Sequence, residues 1–415
     1  MAYTFIDLFA GCGGLSEGFL STGHFHSLAH VEWEKPMVDV LRKRLTSKWS
    51  LTEQEAFDEV ILFDIQKTDE LINGNWQPDS VEKYGAYNSR LVQERGLKGL
   101  VGKQKVDLII GGPPCQAYSI HGRATDKNSM QDDYRNFLFE SFCKVVDAFK
   151  PSLFVFENVA GLLSARPGGI PVRQRIYDAF SRIGYRIVVP ERMPEVLYDA
   201  GDFNVPQHRP RVIILGVRNG STLSIEELYL SIASLKNPSH RLTVRDAIGG
   251  LPPLYPLEKP VKEGRIVRSH TSCPDPSITF HEARNHSERD RRVFRDWVSG
   301  NMNHVSHQAM IDYYYGVTGH KTLFQKYKSL EWDKPAHTVV AHLSKDGYMF
   351  IHPDLKQERS ITVREAACLM TFPMDYQFSE STPYNYKMIG NAVPVNFAKS
   401  IAEGIYKVLD KRNLK

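Results

Sequence analysis

The chain has 415 residues, which exceeds the usual size of a single hydrophobic core and predicts two domains. It is 42% hydrophobic and 24% charged, which is the composition of a globular protein. Its formal net charge of +4 permits nucleic-acid binding without indicating it. The five cysteines form no CxxC pair, so neither a disulfide framework nor a metal site is indicated, and a reducing intracellular compartment fits. No signal peptide or membrane-spanning run is recognisable.

The N-terminal stretch predicts a strand, a glycine turn and a helix. Tyr3 to Phe9 is apolar, glycines follow at positions 11, 13 and 14, and a helix is expected from Leu15. This arrangement brings bare backbone close to a nucleotide-like ligand, although a tight turn needed only for packing is the alternative. Ser16 stands where the dinucleotide fingerprint has its third glycine, which disfavours NAD.

The next two predicted strands each end at an acidic residue. Glu32 follows the glycine turn by about twenty residues, the place where an acid commonly holds ribose hydroxyls. Asp64 lies near the end of the strand predicted over Val60 to Ile65, and a turn or cap role is its alternative. The polar stretch from Asn73 to Gly102 predicts a surface excursion, helical in part.

The centre of the chain is a cysteine behind two prolines. Val106 to Ile110 predicts a buried strand, which Gly111 to Pro114 stop abruptly. Cys115 is then expected at the open sheet edge, where α/β folds bind ligands, either as a nucleophile or as a small buried apolar residue. The polar run 120–135 predicts a lid over this cysteine or a solvated loop.

A second carboxylate and a pair of arginines follow. Glu157 ends the strand predicted from Leu153, beside an apolar run that favours a neutral carboxyl group. Gln207, Arg209 and Arg211 alternate in an extended segment and are expected on one face. The arginines there are suited to a carbonyl or phosphate group, and surface salt bridges are the alternative.

Alternating strands and helices over residues 3–217 predict an α/β, doubly wound, mainly parallel sheet. The irregular section 219–355 predicts a smaller recognition domain. Helices return after it, with Thr362 as an expected N-cap and a final helix from Val395. The predicted domains are therefore 1–218 with 356–415, and 219–355.

Six ordered blocks resemble the DNA (cytosine-5)-methyltransferases. They are FIDLFAGCGG (5–14), GGPPCQAYS (111–119), FENV (156–159), QHRPR (207–211), RSITVREAACLMTFP (359–373) and IGNAVP (389–394). The resemblance implies a Rossmann-like S-adenosylmethionine-dependent domain, with a target-recognition domain in the unmatched section. It also implies methylation at carbon 5 of a specific cytosine in double-stranded DNA.

The resemblance assigns chemical roles. Cys115 would add to carbon 6 of a flipped-out cytosine, which divides one difficult step into two. Glu157, protonated, would neutralise ring nitrogen 3, and Arg211, with Arg209 nearby, would hold the carbonyl oxygen. No base for the carbon 5 proton is assigned. The resemblance also implies a pocket for S-adenosyl-L-methionine and a set of residues that contact DNA or belong to the lid. The cofactor pocket would consist of Phe9, Ala10, Gly11, Gly13, Gly14, Glu32, Trp33, Asp64, Ile65, Pro114, Asn391 and Val393. The DNA or lid residues would be Gln116, Ser119 and Arg123.

Three other functions fit these residues less well. The tRNA-methylating branch carries a Cys-Phe-Thr signature that this chain lacks. A catalytically inactive DNA-binding homologue would lose the nucleophile, whereas Cys115, Glu157 and Arg211 are all present. An amino-methyltransferase would have an aromatic residue where Cys115 stands. The layout resembles stand-alone prokaryotic or viral enzymes, which predicts a monomeric, cytoplasmic protein, nucleoid-associated when on DNA, paired with a restriction endonuclease. The DNA sequence that it recognises is not readable from the chain.

Overall fold

The computed structural model describes residues 2–114, 138–264 and 266–413. The strands are β1 Tyr3–Leu8, β2 Phe25–Glu32, β3 Val60–Leu62, β4 Leu108–Gly111, β5 Leu153–Val159, β6 Tyr185–Arg186, β7 Leu197–Asp199, β8 Pro210–Arg218, β9 Pro256–Glu263 and β10 Ile266–His270. The helices are α1 Gly14–Leu20, α2 Lys35–Trp49, α3 Glu53–Glu59, α4 Thr68–Asn73, α5 Pro78–Tyr84, α6 Arg90–Val101, α7 Leu138–Phe149, α8 Val172–Arg182, α9 Ile225–Ala233, α10 Val244–Ile248, α11 Glu288–Ser299, α12 His307–Thr318, α13 Val363–Leu369, α14 Thr382–Asn391 and α15 Val395–Asn413.

The chain forms two compact units. The first comprises Met1–Phe203, Pro210–Ser239 and Ala392–Lys415, and the second comprises Asn204–Arg209 and His240–Asn391. These boundaries differ from the predicted ones at residues 219–239, which belong to the first unit, and at residues 204–209 and 356–391, which belong to the second. The first difference arises because α9 and α15 pack together, with Ser231 donating a hydrogen bond to the Gly404 carbonyl. The catalytic and recognition roles predicted for the two domains stay predictions.

A mixed central sheet organises the first unit, in the order β3-β2-β1-β4-β5-β8-β6, with β7 also paired to β8. The pairs from β3 to β5 are parallel, whereas β8 runs antiparallel to β5, β6 and β7. The inner strands are apolar and buried, as is typical of parallel strands with helices on both faces. The predicted α/β, doubly wound fold is confirmed.

The excursion between β3 and β4 is more regular than its polar composition suggests. It contains α5 and α6, and α6 is interrupted at Gly96, where φ is +59°. A Cβ atom at Gly96 would lie 2.5 Å from the Gly74 backbone nitrogen, so a close backbone approach requires this glycine. Asp64 lies outside β3, which ends at Leu62, three residues earlier than the strand predicted over Val60 to Ile65.

The C-terminal helix α15 packs against α1 in the first unit. A Cβ atom at Gly18 would lie 2.3 Å from the Cβ atom of Ala398 and 2.6 Å from the Lys399 backbone nitrogen. Glycine at this position therefore allows the helix backbones to approach closely. The packing explains why the last 24 residues return to the unit that begins the chain.

A compact apolar core supports the second unit. It consists of buried side chains from α11, α12 and the segments that follow them: Val293, Phe294, Trp297, Met310, Tyr327 and Ile351. Around it lies a buried polar network. Arg359 donates from both terminal nitrogens to the Glu365 carboxylate at 2.7 Å, and Glu365 also accepts the backbone N–H of its predicted N-cap residue, Thr362.

We expect that replacing Gly18 with alanine lowers the free energy of unfolding by about 1–3 kcal/mol, because the added methyl group overpacks the α1–α15 contact. Chemical denaturation of the purified protein measures the change. Gly250→Ala is the matched control, since no atom lies within 4 Å of a Cβ atom there. Equal loss in the two variants would contradict this account of Gly18.

Acid should destabilise the second unit. Burial lowers the pKa of His286 to about 3, so unfolding exposes a histidine that binds a proton below about pH 6.5. Stability contributed by the neutral form is present above pH 6.5 and is lost as the pH falls, by about 1.4 kcal/mol per pH unit. His286→Gln should flatten the fall in unfolding free energy between pH 6.5 and 5, whereas His240→Gln, at an exposed position, should leave its slope unchanged.

Candidate active site

The turn after β1 has an unusual backbone. Phe9, Gly11 and Gly13 all have positive φ, at 62°, 57° and 87°. The turn is closed by a hydrogen bond of 2.8 Å from the Gly13 N–H to the Ala10 carbonyl, and α1 begins at Gly14. A non-glycine residue such as Phe9 in this conformation costs free energy, and such residues concentrate at functional sites.

Glu32 ties the end of β2 to this turn. Its Oε2 accepts the Gly11 N–H at 2.8 Å, and its Oε1 accepts the N–H groups of Trp33 and Glu34 at 2.8 and 2.9 Å. Burial raises the pKa of Glu32, and these backbone hydrogen bonds oppose the rise. A carboxylate has about four acceptor positions, so these three bonds leave capacity for one more donor, such as a ribose hydroxyl.

Asp7 is a buried acid that the sequence analysis did not select. Its Oδ2 accepts a hydrogen bond of 2.5 Å from the Ser16 hydroxyl, while its Oδ1 has no partner among the described residues. Burial raises the pKa of Asp7 to about 7. His30 lies opposite Asp7 on β2, fully buried. The available signal was an aspartate within the otherwise apolar YTFIDLF strand.

The remaining predicted cofactor residues near this edge differ in exposure. The Trp33 side chain is 54% exposed, whereas Ile65 is buried. Asp64 is half-buried and accepts the Gln66 N–H at 3.0 Å, the local turn contact that was its alternative role. Because β1, β2 and β3 are parallel neighbours, the turns after them meet at one edge of the sheet.

The glycines before the two prolines allow close approaches to neighbouring strands. A Cβ atom at Gly111 would lie 2.3 Å from the Leu8 carbonyl oxygen, and one at Gly112 would lie 2.7 Å from Glu157 Oε2. Asn158 donates a hydrogen bond to the Pro113 carbonyl at 3.3 Å. The chain thus leaves β4 directly beside the Glu157 carboxylate, and Pro114, half-buried, is the last residue described before the gap.

Four predicted residues lie outside the described part of the chain: Cys115, Gln116, Ser119 and Arg123. The same is true of the lid proposed for residues 120–135. Their roles stay predictions.

Glu157 and Arg211 form a buried ion pair at this edge. Arg211 Nε lies 2.7 Å from Glu157 Oε1, and the two side chains are about one-tenth exposed. The antiparallel register of β5 with β8, which sets Val159 opposite Arg211, brings the guanidinium group beside the carboxylate. The pair places one positive and one negative group at the end of β5.

Arg209 has different partners from Arg211. It is buried in the second unit, where its guanidinium group donates to the carbonyl oxygens of Val339, at 2.5 Å, and Gly390, at 3.0 Å. Gln207 accepts the Val339 N–H at 2.8 Å. Because both acceptors are backbone carbonyl groups, Arg209 positions segments of the chain within its own unit.

The last two predicted cofactor residues lie on either side of the boundary before α15. Asn391 is exposed at the end of α14, and Val393 is buried in the first unit. Among the described residues no group of three or more His, Cys, Asp or Glu side chains is arranged to hold a metal ion. No helix in that same part of the chain is long and apolar enough to cross a membrane.

Comparison with known proteins identifies the family. The profile of the C-5 cytosine-specific DNA methylases matches residues 3–75 and 86–407. The chain belongs to this family. It is 34% identical to the type II methyltransferase M.Bpa9945I of Bacillus paralicheniformis, over 98% of this chain and 99% of that protein. It is 31% identical to M1.HphI of Haemophilus parahaemolyticus, over 98% and 88%.

Solved structures agree on the fold of this methylase. A DNA modification methyltransferase encoded within an Escherichia coli prophage superposes with a TM-score of 0.58 and 21% identity, covering 99% of this chain and 100% of that one. The Entamoeba histolytica methyltransferase EhMeth superposes with a TM-score of 0.51 and 12% identity, covering 100% and 99%. The predicted family and enzyme class, DNA cytosine-5 methyltransferase, are confirmed.

We expect Asp7→Asn to stabilise the methylase at pH 8 but not at pH 4. The folded-state pKa of Asp7 is raised, so its favourable contribution is present at acid pH and is lost as the pH rises through about 7. The rise corresponds to at most about 4 kcal/mol. Urea denaturation across this pH range measures the difference, and Asp69→Asn, at an exposed position, should show no such dependence.

Proposed function

We propose that this methylase transfers a methyl group to carbon 5 of a specific cytosine in double-stranded DNA through a covalent Cys115 adduct. The Glu157–Arg211 pair carries the proposal, because it holds a carboxyl and a guanidinium group together beside the Gly-Gly-Pro-Pro turn, where a Cβ atom at Gly112 would lie 2.7 Å from Glu157 Oε2. The two groups match the nitrogen and carbonyl oxygen on one edge of a cytosine ring. Cys115, immediately after Pro114, supplies the nucleophile.

The chemistry assigned to these residues divides one hard step into two. The Cys115 thiolate adds to ring carbon 6, and electron density moves toward nitrogen 3, which takes a proton from Glu157 in its protonated form once the cytosine is in the pocket. Arg211 donates hydrogen bonds to the carbonyl oxygen and stabilises its negative charge. After methylation, loss of the carbon 5 proton to a base expels Cys115 as a thiolate, the nitrogen 3 proton returns to Glu157, and the aromatic ring is restored.

The target cytosine must leave the duplex for this attack. Stacking and pairing hide its carbon 6, and flipping the base out costs a few kcal/mol that contacts in the pocket offset. Family membership and the type II relatives support DNA as the substrate. A monomeric cytoplasmic enzyme, associated with the nucleoid on DNA and paired with a restriction endonuclease, is part of the same proposal.

The residues of the glycine turn fit S-adenosyl-L-methionine as the methyl donor. Gly11 and Gly13 have positive φ, which favours glycine, and as glycines they bring no side chains into the turn. Glu32 retains one acceptor position for a ribose hydroxyl. When bound, the cofactor supplies an electrophilic methyl group on a sulfonium centre. We propose that Phe9, Asp64 and Val393 complete the cofactor pocket. The other cofactor residues that the resemblance implies belong to the same proposal.

Cys115→Ala should abolish methylation, at least about 10³-fold, while S-adenosylmethionine binding changes less than about twofold. Bisulfite sequencing of plasmid from expressing cells reads the methylated cytosines and their sequence context, and calorimetry reads cofactor affinity. Cys273→Ala, in the second unit, is the control and should methylate normally. Absence of 5-methylcytosine in DNA from wild-type cells, with methylated tRNA instead, would overturn the proposed substrate.

Glu157→Gln should lower kcat by about 10²–10⁴-fold with little change in cofactor affinity, because the amide keeps an acceptor for Arg211 but cannot deliver the proton. Single-turnover methyl transfer to a duplex containing the identified site measures the rate. Glu195→Gln is the matched control, since Glu195 belongs to an exposed pair with Arg192. A kcat within threefold of wild type would remove Glu157 from the mechanism.

A further inference from the structure

The second unit presents two large apolar side chains to solvent in the segment 319–326, which follows α12. Leu323 is 80% exposed and Phe324 is 65% exposed. Such exposure of neighbouring large apolar residues is unfavourable in water and marks surfaces that are covered by a partner. The mechanism proposed above does not use either residue.

The segment is held in place by local hydrogen bonds. Gly319, with φ of +71°, closes α12 through a bond of 2.8 Å to the Tyr315 carbonyl. The Phe324 N–H donates to the Thr322 hydroxyl at 3.1 Å, and Gln325 donates to the Tyr327 carbonyl at 2.8 Å.

Tyr327 is the anchor at the end of the segment. Its ring is buried in the apolar core of the second unit, against Trp297 and Tyr314. Leu323 and Phe324 therefore project from a loop that is fixed at both ends. Because the loop is already held in place, binding of a partner there costs little further conformational entropy.

The charged residues nearest the exposed pair along the chain are all cations. From Tyr313 to Leu330 the chain contains no aspartate or glutamate and three lysines, Lys321, Lys326 and Lys328. Lys321 and Lys326, on either side of the pair, are exposed. An apolar tip between cations complements a nucleic acid, whose phosphates flank an apolar base stack.

We propose that Leu323 and Phe324 form a wedge that enters the base stack of the substrate duplex, with Lys321 and Lys326 on the adjacent phosphates. The proposal rests on the proposed function in taking DNA as the partner, and it adds the residues that deform the duplex. The wedge unstacks a base step, and this deformation makes the affinity depend on the sequence at that step.

The test compares three variants on a duplex that carries the methylation site. Leu323→Ser/Phe324→Ser should raise the KM for DNA at least about tenfold with the salt dependence of binding unchanged, because no cation is removed. Lys321→Gln/Lys326→Gln should lower the salt slope by about 2, one for each phosphate contact. Leu230→Ser is the matched control, since Leu230 is 70% exposed in the first unit.

A structural readout accompanies the kinetics. With 2-aminopurine scanned along the duplex away from the target cytosine, wild type should increase fluorescence at one step and the Ser/Ser variant should not. Cofactor affinity and thermal stability should be unchanged in all variants, since the replaced side chains are exposed.

The outcomes separate this proposal from the proposed function. No methyl transfer to any duplex by wild type would refute the proposed function itself. Transfer by wild type with an unchanged KM in the Ser/Ser variant would refute the wedge alone. Sedimentation showing a wild-type dimer that the Ser/Ser variant dissociates would assign the apolar pair to a second copy of the chain and overturn the wedge.

Discussion

Parallel pairing of β1 with β2 and β4 is the constraint on which the candidate site depends. It sets the carboxyl ends of three strands side by side, so the turns that follow them share one edge of the sheet. The chain that leaves β4 must then pass close to the Leu8 carbonyl group and the Glu157 side chain. Only glycine permits this close approach, at Gly111 and Gly112. The glycines of this edge are consequences of strand spacing as much as of ligand binding.

Buried charge is the second physical theme, and it is resolved by pairing. Arg211 with Glu157 and Arg44 with Glu17 are buried pairs in the first unit. Removing one partner of such a pair leaves an uncompensated charge, which is strongly destabilising. Of these two pairs, the first lies at the end of β5, beside the turn that follows β4, and that position, more than burial itself, is the reason that we propose a functional role for Glu157 and Arg211.

Much of the fold was predictable because the strands and helices of the first unit have clear periodicity. Strands β1, β4 and β5 lie where their apolar runs predict, and Thr362 caps α13 as its spacing with Glu365 indicates. The helices α5 and α6 were expected only in part, since their polar surfaces and the break at Gly96 hide the helical repeat. Asp7 was missed because a single polar residue in an apolar strand belongs to no repeating motif that would indicate its role.

The sequence by itself determined the family, the enzyme class and the set of candidate residues, because six blocks of chemically constrained residues recur in a set order. Tertiary structure alone decided which arginine stands beside Glu157, since Arg209 and Arg211 alternate identically along the chain. Their partners come from distant segments: Val339 and Gly390 for Arg209, and β5 for Arg211. Contacts between segments so far apart depend on strand register and packing, which local patterns of residues do not encode.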